Sequence, residues 1–190
     1  MTSPKILIFS GSIRTGSVNT RLAGTITKAL AEKGAQANHI TLADYQLPIY
    51  NGDLEEEKGV PENAKKLGTL IARHDGVVLV SPEYNGSIPP LLKNTLDWLS
   101  RDLGDTKPYQ AVTYALAACS PGKLGGIRVV NHIRDTLVSV GADIITPQLC
   151  VGPAGDAFND DDELTIEFHQ KLLQNLCDTL IERASNFASR

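Results

Sequence analysis

The sequence predicts an α/β fold in which a parallel sheet lies between helices on both faces. Three observations predict it. Short, wholly apolar runs alternate with segments of helical spacing, glycine- and proline-rich turns follow the runs, and no repeat or low-complexity linker breaks the series. At 190 residues the chain suits one domain, residues 1–190, around one continuous core. An apolar content of 42% with 21% charged residues excludes wholesale disorder.

The elements follow in order. Ile6–Phe9 is a strand apolar on both faces, closed by Ser10-Gly11-Ser12. Leu22, Ile26 and Leu30 form a helical stripe that ends near Gly34. Asn38–Leu42 is the second strand. Residues 43–59, with Pro48, Asn51-Gly52 and the acidic Glu55–Glu57, form an exposed loop. Pro61 opens a helix that runs to about His74 with Ala64, Leu67, Leu70 and Ile71 inward. Val77–Val80 is the third strand, and Ser81–Pro90 is a turn before a helix from Leu91 to about Arg101. Ala111–Ala118 is the fourth strand, Gly122–Gly126 a glycine-rich loop, and Ile127–Val140 a helix. Asp143–Val151 is the fifth strand, where Pro147 requires an edge position or a bulge. The last helix carries Leu164, Phe168, Leu172, Leu176 and Leu180 on one stripe. Five strands alternating with five helices give a doubly wound sheet. Right-handed crossovers then favour the order 2-1-3-4-5, the flavodoxin-like three-layer sandwich.

Bulk properties exclude several functions. A net charge of −4 with no basic stretch argues against gripping a nucleic-acid backbone. Cys119, Cys150 and Cys177 form no CxxC pair and are odd in number, so a disulfide scaffold or zinc ribbon is excluded and a reducing, cytoplasmic setting expected. The stretch from Met1 into Ile6–Phe9 is too short for a signal peptide, and no apolar run reaches the ~20 residues of a membrane span. His39, His74, His132 and His169 show no metal-ligand spacing, so no metal site is expected. Asp160–Glu163 reads as a solvated helix start, and Cys119 as a buried strand-end thiol.

In such a sheet, ligands bind beyond the carboxyl ends of the strands, where the order reverses between strands 1 and 3. Three loops meet there: 11–19, 82–89 and 120–126. The first offers glycines for close backbone approach, hydroxyls at Ser12, Ser17 and Thr20, the Asn19 amide, the Arg14 charge and a helix N-terminus. That set suits a phosphate, and each charge-assisted hydrogen bond adds about 1.5–3 kcal/mol. Ser17 stands where a P-loop needs lysine, and no GxGxxG follows the first strand, so neither nucleotide hydrolysis nor a standard dinucleotide site is predicted. The second loop, with its flanks Ser81–Pro90, has three prolines and a glycine, a stiff turn suited to holding a flat ring, with Tyr84 to stack or wall it.

Gly-Ser-x-Arg-x-x-Ser-x-Asn at 11–19 and Pro-Glu-Tyr-Asn-Gly-Ser-x-Pro-x-x-Leu-Lys-Asn-x-x-Asp-Trp at 82–98 resemble the NADPH-dependent FMN reductase family over essentially the whole chain. The resemblance implies bound FMN and two-electron transfer from NADPH or NADH to a small acceptor such as a quinone, free flavin, chromate or azo dye. It places Ser12, Arg14, Ser17, Val18, Asn19 and Thr20 around the FMN phosphate. Pro82, Glu83, Tyr84, Asn85 and Gly86 would edge the ring, and Ser120, Gly122, Lys123 and Gly125 would lie beside the ring and ribityl chain. Lys93, Asn94, Asp97 and Trp98 belong to the motif as structural residues. A homodimer or homotetramer is implied, with 87–101 near the interface. No side chain is an obligate catalyst, because the cofactor carries the chemistry. A flavodoxin-type electron carrier and a flavin-bound redox sensor are the alternatives. Arg14 argues against the first.

Overall fold

A computed structural model describes residues 3–101, 103 and 106–187. Met1 and Thr2, the start of the stretch read as leaderless, lie outside them. Five parallel strands, β1 (Lys5–Ser10), β2 (Gln36–Thr41), β3 (Gly76–Ser81), β4 (Thr113–Cys119) and β5 (Asp143–Val151), are ordered 2-1-3-4-5. Six helices accompany them: α1 (Val18–Glu32), α2 (Gly52–Lys58), α3 (Glu62–Ala72), α4 (Pro90–Leu99), α5 (Ile127–Ser139) and α6 (Glu167–Phe187).

Strand side chains alternate between two cores. Ile6, Ile8, Val78, Val80, Ala115 and Ala117 pack against α1 and α6. Leu7, Phe9, Val77, Leu79, Tyr114 and Leu116 pack against α3, α4 and α5. Burial on both faces explains why β1, β3 and β4 read as continuous apolar runs. β2, at the edge, is polar and largely exposed. β5 is the other edge, and its pairing with β4 shifts register between Tyr114 and Leu116, so Pro147 sits where both expected conditions hold. Arg134 of α5 donates to the Ile145 carbonyl (3.1 Å) beside this irregularity, satisfying a group that ladder pairing would otherwise take.

The structure corrects two expectations. Residues 43–59 are not a continuous loop: Leu42–Tyr45 is a 3-10 turn and 52–58 is α2. α2 buries no residue, so no apolar period betrays it. It is held instead by Asn51, whose side chain accepts from the Asp53 amide (2.9 Å), and by Glu55, which accepts from Tyr50 Oη and from Arg101 (both 3.0 Å). The preceding strand of chain is pinned to α4. Trp98 Nε1 (2.8 Å) and Asn94 Nδ2 (2.9 Å) both donate to the Pro48 carbonyl, and Asn94 Oδ1 accepts from the Tyr50 amide (2.8 Å). The Asn-x-x-Asp-Trp part of the motif therefore holds 48–55 in place.

The second correction concerns the last helix. Asp160–Glu163 is not a helix start but a turn whose Asp161 and Glu163 amides donate to Asn159 Oδ1, and α6 begins only at Glu167. Leu164 also precedes α6, in a bridge with Phe158, and Phe168 is 64% exposed. The buried stripe is His169, Leu173, Leu176, Cys177, Leu180 and Ala184. A strict four-residue spacing overshoots a 3.6-residue turn, so a stripe extrapolated backward from Leu180 and Leu176 drifts off the buried face.

Candidate functional site

β1, β3 and β4 end side by side, so their following loops gather at one end of the sheet. The first begins with the Gly11 amide donating to Val80 O of β3 (2.8 Å), which ties it to the neighbouring strand. Ser10 Oγ then accepts from the Ser12 amide (3.2 Å), and Ser12 Oγ from the Arg14 amide (3.4 Å). Ser17 caps α1 by accepting from the Thr20 amide (3.4 Å), while Thr20 Oγ1 donates back to Ser12 O (3.4 Å). The Arg14 guanidinium curls over its own loop toward the Thr15 and Gly16 carbonyls, 3.4 Å from each. The amides of Thr15, Gly16, Val18 and Asn19 have no acceptor among the described residues. A cavity of about 620 Å³, lined by residues 14–18, Thr20, Arg21, Gly24 and Asp162, opens beside these donors, the Asp162 carboxylate being paired with the Arg21 guanidinium. Free amides, a helix N-terminus and the Arg14 guanidinium, the one of the two lining arginines that is not ion-paired among the described residues, form a donor set that fits a phosphate.

Asn19 departs from the expectation that its side chain serves the ligand. It is 2% exposed, and both ends of its amide are engaged with β4: Nδ2 donates to Cys119 O (2.9 Å) and Oδ1 accepts from the Cys119 amide (2.8 Å). Asn19 thus pins the first turn of α1 to the end of β4, and only its backbone amide remains for an anion.

Glu83, expected at the ring edge through its backbone amide, has its side chain engaged elsewhere. Its carboxylate accepts from the Arg128 and Val129 amides (3.1 Å each) and pairs with the Arg128 guanidinium (3.3 Å). α5 starts at Gly126, which has no side chain to cap it, so Glu83 supplies the cap from another loop. Sequence reasoning missed this because a cap 45 residues away has no local spacing signature.

The remainder of the second loop is a reverse turn. Tyr84 and Ser87 exchange amide-to-carbonyl bonds of 3.0 Å each, and Asn85 (φ +51°) and Gly86 (φ +76°) occupy the left-handed positions. Pro82 is buried beneath the turn, and Tyr84, 49% exposed, stands above it. Ser87 Oγ lies 3.0 Å from His132 Nδ1, a further tie to α5.

In the third loop, Ser120 Oγ accepts from the Gly122 amide (3.1 Å), and Gly122 O from the Gly125 amide (3.1 Å). Gly125, at φ +59°, is pressed against the end of β5: an added Cβ would lie 2.8 Å from Cys150 C and Val151 N. Lys123 is exposed and makes no ion pair among the described residues, leaving its charge available near the ligand end of the sheet.

Burial pushes the Cys119 and Cys177 thiols up to about 12, and that of Cys150 up to about 11. All three are therefore protonated at neutral pH. Cys119, at the base of the third loop, is a packed strand-end residue rather than a redox thiol.

The chain is similar to known proteins over most of its length. The family model for NADPH-dependent FMN reductases matches residues 4–156. A quinone reductase of Escherichia coli (strain K12) is 37% identical over 142 residues, covering 74% of this chain and 73% of its own. An NAD(P)H-dependent FMN reductase of Pseudomonas aeruginosa is 31% identical over 172 residues, 90% of this chain and 89% of the relative. Among solved structures, the flavoenzyme NAD(P)H:(acceptor) oxidoreductase FerB of Paracoccus denitrificans superposes with a TM-score of 0.78 at 25% identity, covering 97% of this chain and 98% of that one. The chain belongs to the NADPH-dependent FMN reductase family and is an FMN-dependent oxidoreductase that draws on NAD(P)H.

Proposed function

We propose that the chain reduces quinones, or similar flat acceptors such as azo compounds, at the mouth formed by the three loops. One observation carries the reading: a phosphate-type donor set, a rigid turn bearing Tyr84 and a glycine-lined third loop meet where the strand order reverses. FMN bound there supplies two-electron chemistry between nicotinamide and acceptor.

The chain's own residues supply position. The amides of Thr15, Gly16, Val18 and Asn19, the hydroxyls of Ser12, Ser17 and Thr20, and Arg14 hold the phosphate. The 82–86 turn and residues 120–125, including Ser120, Gly122 and Gly125, border the ring. Asn19 and Glu83 act one step back, fixing these loops to β4 and α5 before any ligand enters. Such preorganisation favours orientation of donor and acceptor over acid–base chemistry. The protein works as a homodimer or homotetramer with 87–101 near the contact. It acts in the cytoplasm, a setting supported by its three free thiols. Among the described residues, no helix is long and apolar enough to cross a membrane.

Two measurements test the reading. Anaerobic NADPH or NADH should bleach the yellow holoprotein rapidly, and added menadione should restore the colour. Arg14→Ala should weaken FMN binding by about tenfold or more, the loss of one charge-assisted contact of 1.5–3 kcal/mol. Unchanged FMN affinity in that variant would remove Arg14 from the phosphate site.

A further inference from the structure

A second space opens beside the phosphate cavity, on the side away from the ring. The sheet order puts β2 on one side of β1 and β3 and β4 on the other. The turn and the third loop that border the ring follow β3 and β4, so the ring lies on their side. On the β2 side, a cavity of about 210 Å³ is lined by Ser10, Ser12, Thr20, His39, Ile40 and Thr41. Thr20 lines the phosphate cavity as well, so the two spaces adjoin at the first turn of α1. A whole small-molecule site takes about 300–1,000 Å³. This one suits an appendage of a ligand anchored next door.

Its polar groups are not used up by the fold. Ser10 is 4% exposed, and its Oγ accepts from the Ser12 amide but donates to nothing among the described residues. Ser12 Oγ accepts from the Arg14 amide and Thr41 Oγ1 from the Ala43 amide, and neither donates among the described residues. Three hydroxyl protons are therefore left for a ligand, two of them on the buried Ser10 and Ser12, where an unmade bond is costly. The His39 ring also has no hydrogen-bond partner among the described residues, and partial burial lowers its pKa, so the imidazole is neutral at pH 7. None of the six lining residues is acidic.

We infer that this cavity takes the adenylate half of a flavin adenine dinucleotide, so that the chain accepts FAD as well as FMN. The inference rests on the FMN site proposed above, because the phosphate bound there is common to both flavins. Hydroxyl donors at Ser10, Ser12 and Thr41 match the oxygens of a second phosphate and a ribose, and the neutral His39 ring matches a flat base. The adenylate of the nicotinamide donor fits less well. Its nicotinamide must meet the flavin ring, across β1 from this cavity.

The test titrates the full-length, flavin-free protein with FMN and with FAD, following flavin fluorescence, and repeats both titrations on His39→Ala. Wild type is expected to bind FAD with a Kd within about tenfold of that for FMN. His39→Ala should raise the Kd for FAD about tenfold, the loss of one contact to the base, and leave that for FMN within about twofold. The FMN titration thereby reports that the variant is folded. A wild-type Kd for FAD beyond about tenfold that for FMN overturns the inference. So does an equal loss for both flavins in His39→Ala, which would put His39 on the shared phosphate, and so does no loss for either. A raised KM for NADPH in the FMN-loaded variant, with FAD affinity unchanged, overturns it too and gives the cavity to the nicotinamide donor. The underlying reading fails separately: wild-type protein that binds neither flavin refutes it before the variant is made.

Discussion

Asn19→Ala is expected to lower the free energy of unfolding by about 2–5 kcal/mol and to weaken FMN binding together with it. The side chain is 2% exposed and makes two hydrogen bonds to the Cys119 backbone, at 2.9 and 2.8 Å. Truncation leaves a buried carbonyl and a buried amide without partners, each at about 1–3 kcal/mol. The loss also frees the first turn of α1 from β4, so the amides of Val18 and Asn19 no longer stand at a fixed distance from the third loop. Urea unfolding of the FMN-free protein reads the first effect, and a flavin titration reads the second. Asn19→Asp keeps an acceptor for the Cys119 amide but sets a buried carboxylate against the Cys119 carbonyl, so at neutral pH it should be no more stable than alanine. A stability equal to wild type in Asn19→Ala would mean that the junction between α1 and β4 is held by something else.

Asn19 also marks where sequence reading stops. The fold was legible because β1, β3 and β4 are buried on both faces and so announce themselves as unbroken apolar runs. The place of the site was legible because a doubly wound sheet puts its ligand loops at the reversal of strand order. What a particular polar side chain touches was not. Asn19 and Glu83 lie in the ligand loops and carry the right chemistry for a ligand, yet each reaches a backbone partner 45 to 100 residues away. Spacing along the chain holds no record of such contacts. α2 escaped for a different reason: a helix held by Asn51, Tyr50, Glu55 and Arg101 on its polar side has no apolar period to detect.

Gly125→Ala is expected to be among the most damaging single changes available at the site, and Gly16→Ala supplies its control. Both glycines have positive φ, +59° and +67° respectively, so an alanine at either meets the same left-handed strain of about 1–2 kcal/mol. They differ in their surroundings. No atom lies within 4 Å of a Cβ built on Gly16, whereas one on Gly125 would stand 2.8 Å from Cys150 C and Val151 N and 2.9 Å from Val151 C. Those are backbone atoms of a strand in the sheet and cannot rotate aside as a side-chain tip can. The third loop must therefore lift from β5, which breaks the Ser120 amide's bond to Val151 O (3.1 Å) and moves Ser120 and Gly122 away from the ligand. Gly16→Ala should lower stability by about 1 kcal/mol. Gly125→Ala should lose about 3 kcal/mol or more, together with most of its flavin affinity, because overpacking adds to the strain. Denaturant unfolding and flavin titration of the two variants side by side make the comparison. Equal losses would show that φ alone governs both positions, and that the tight contact between the third loop and β5 does not shape the site.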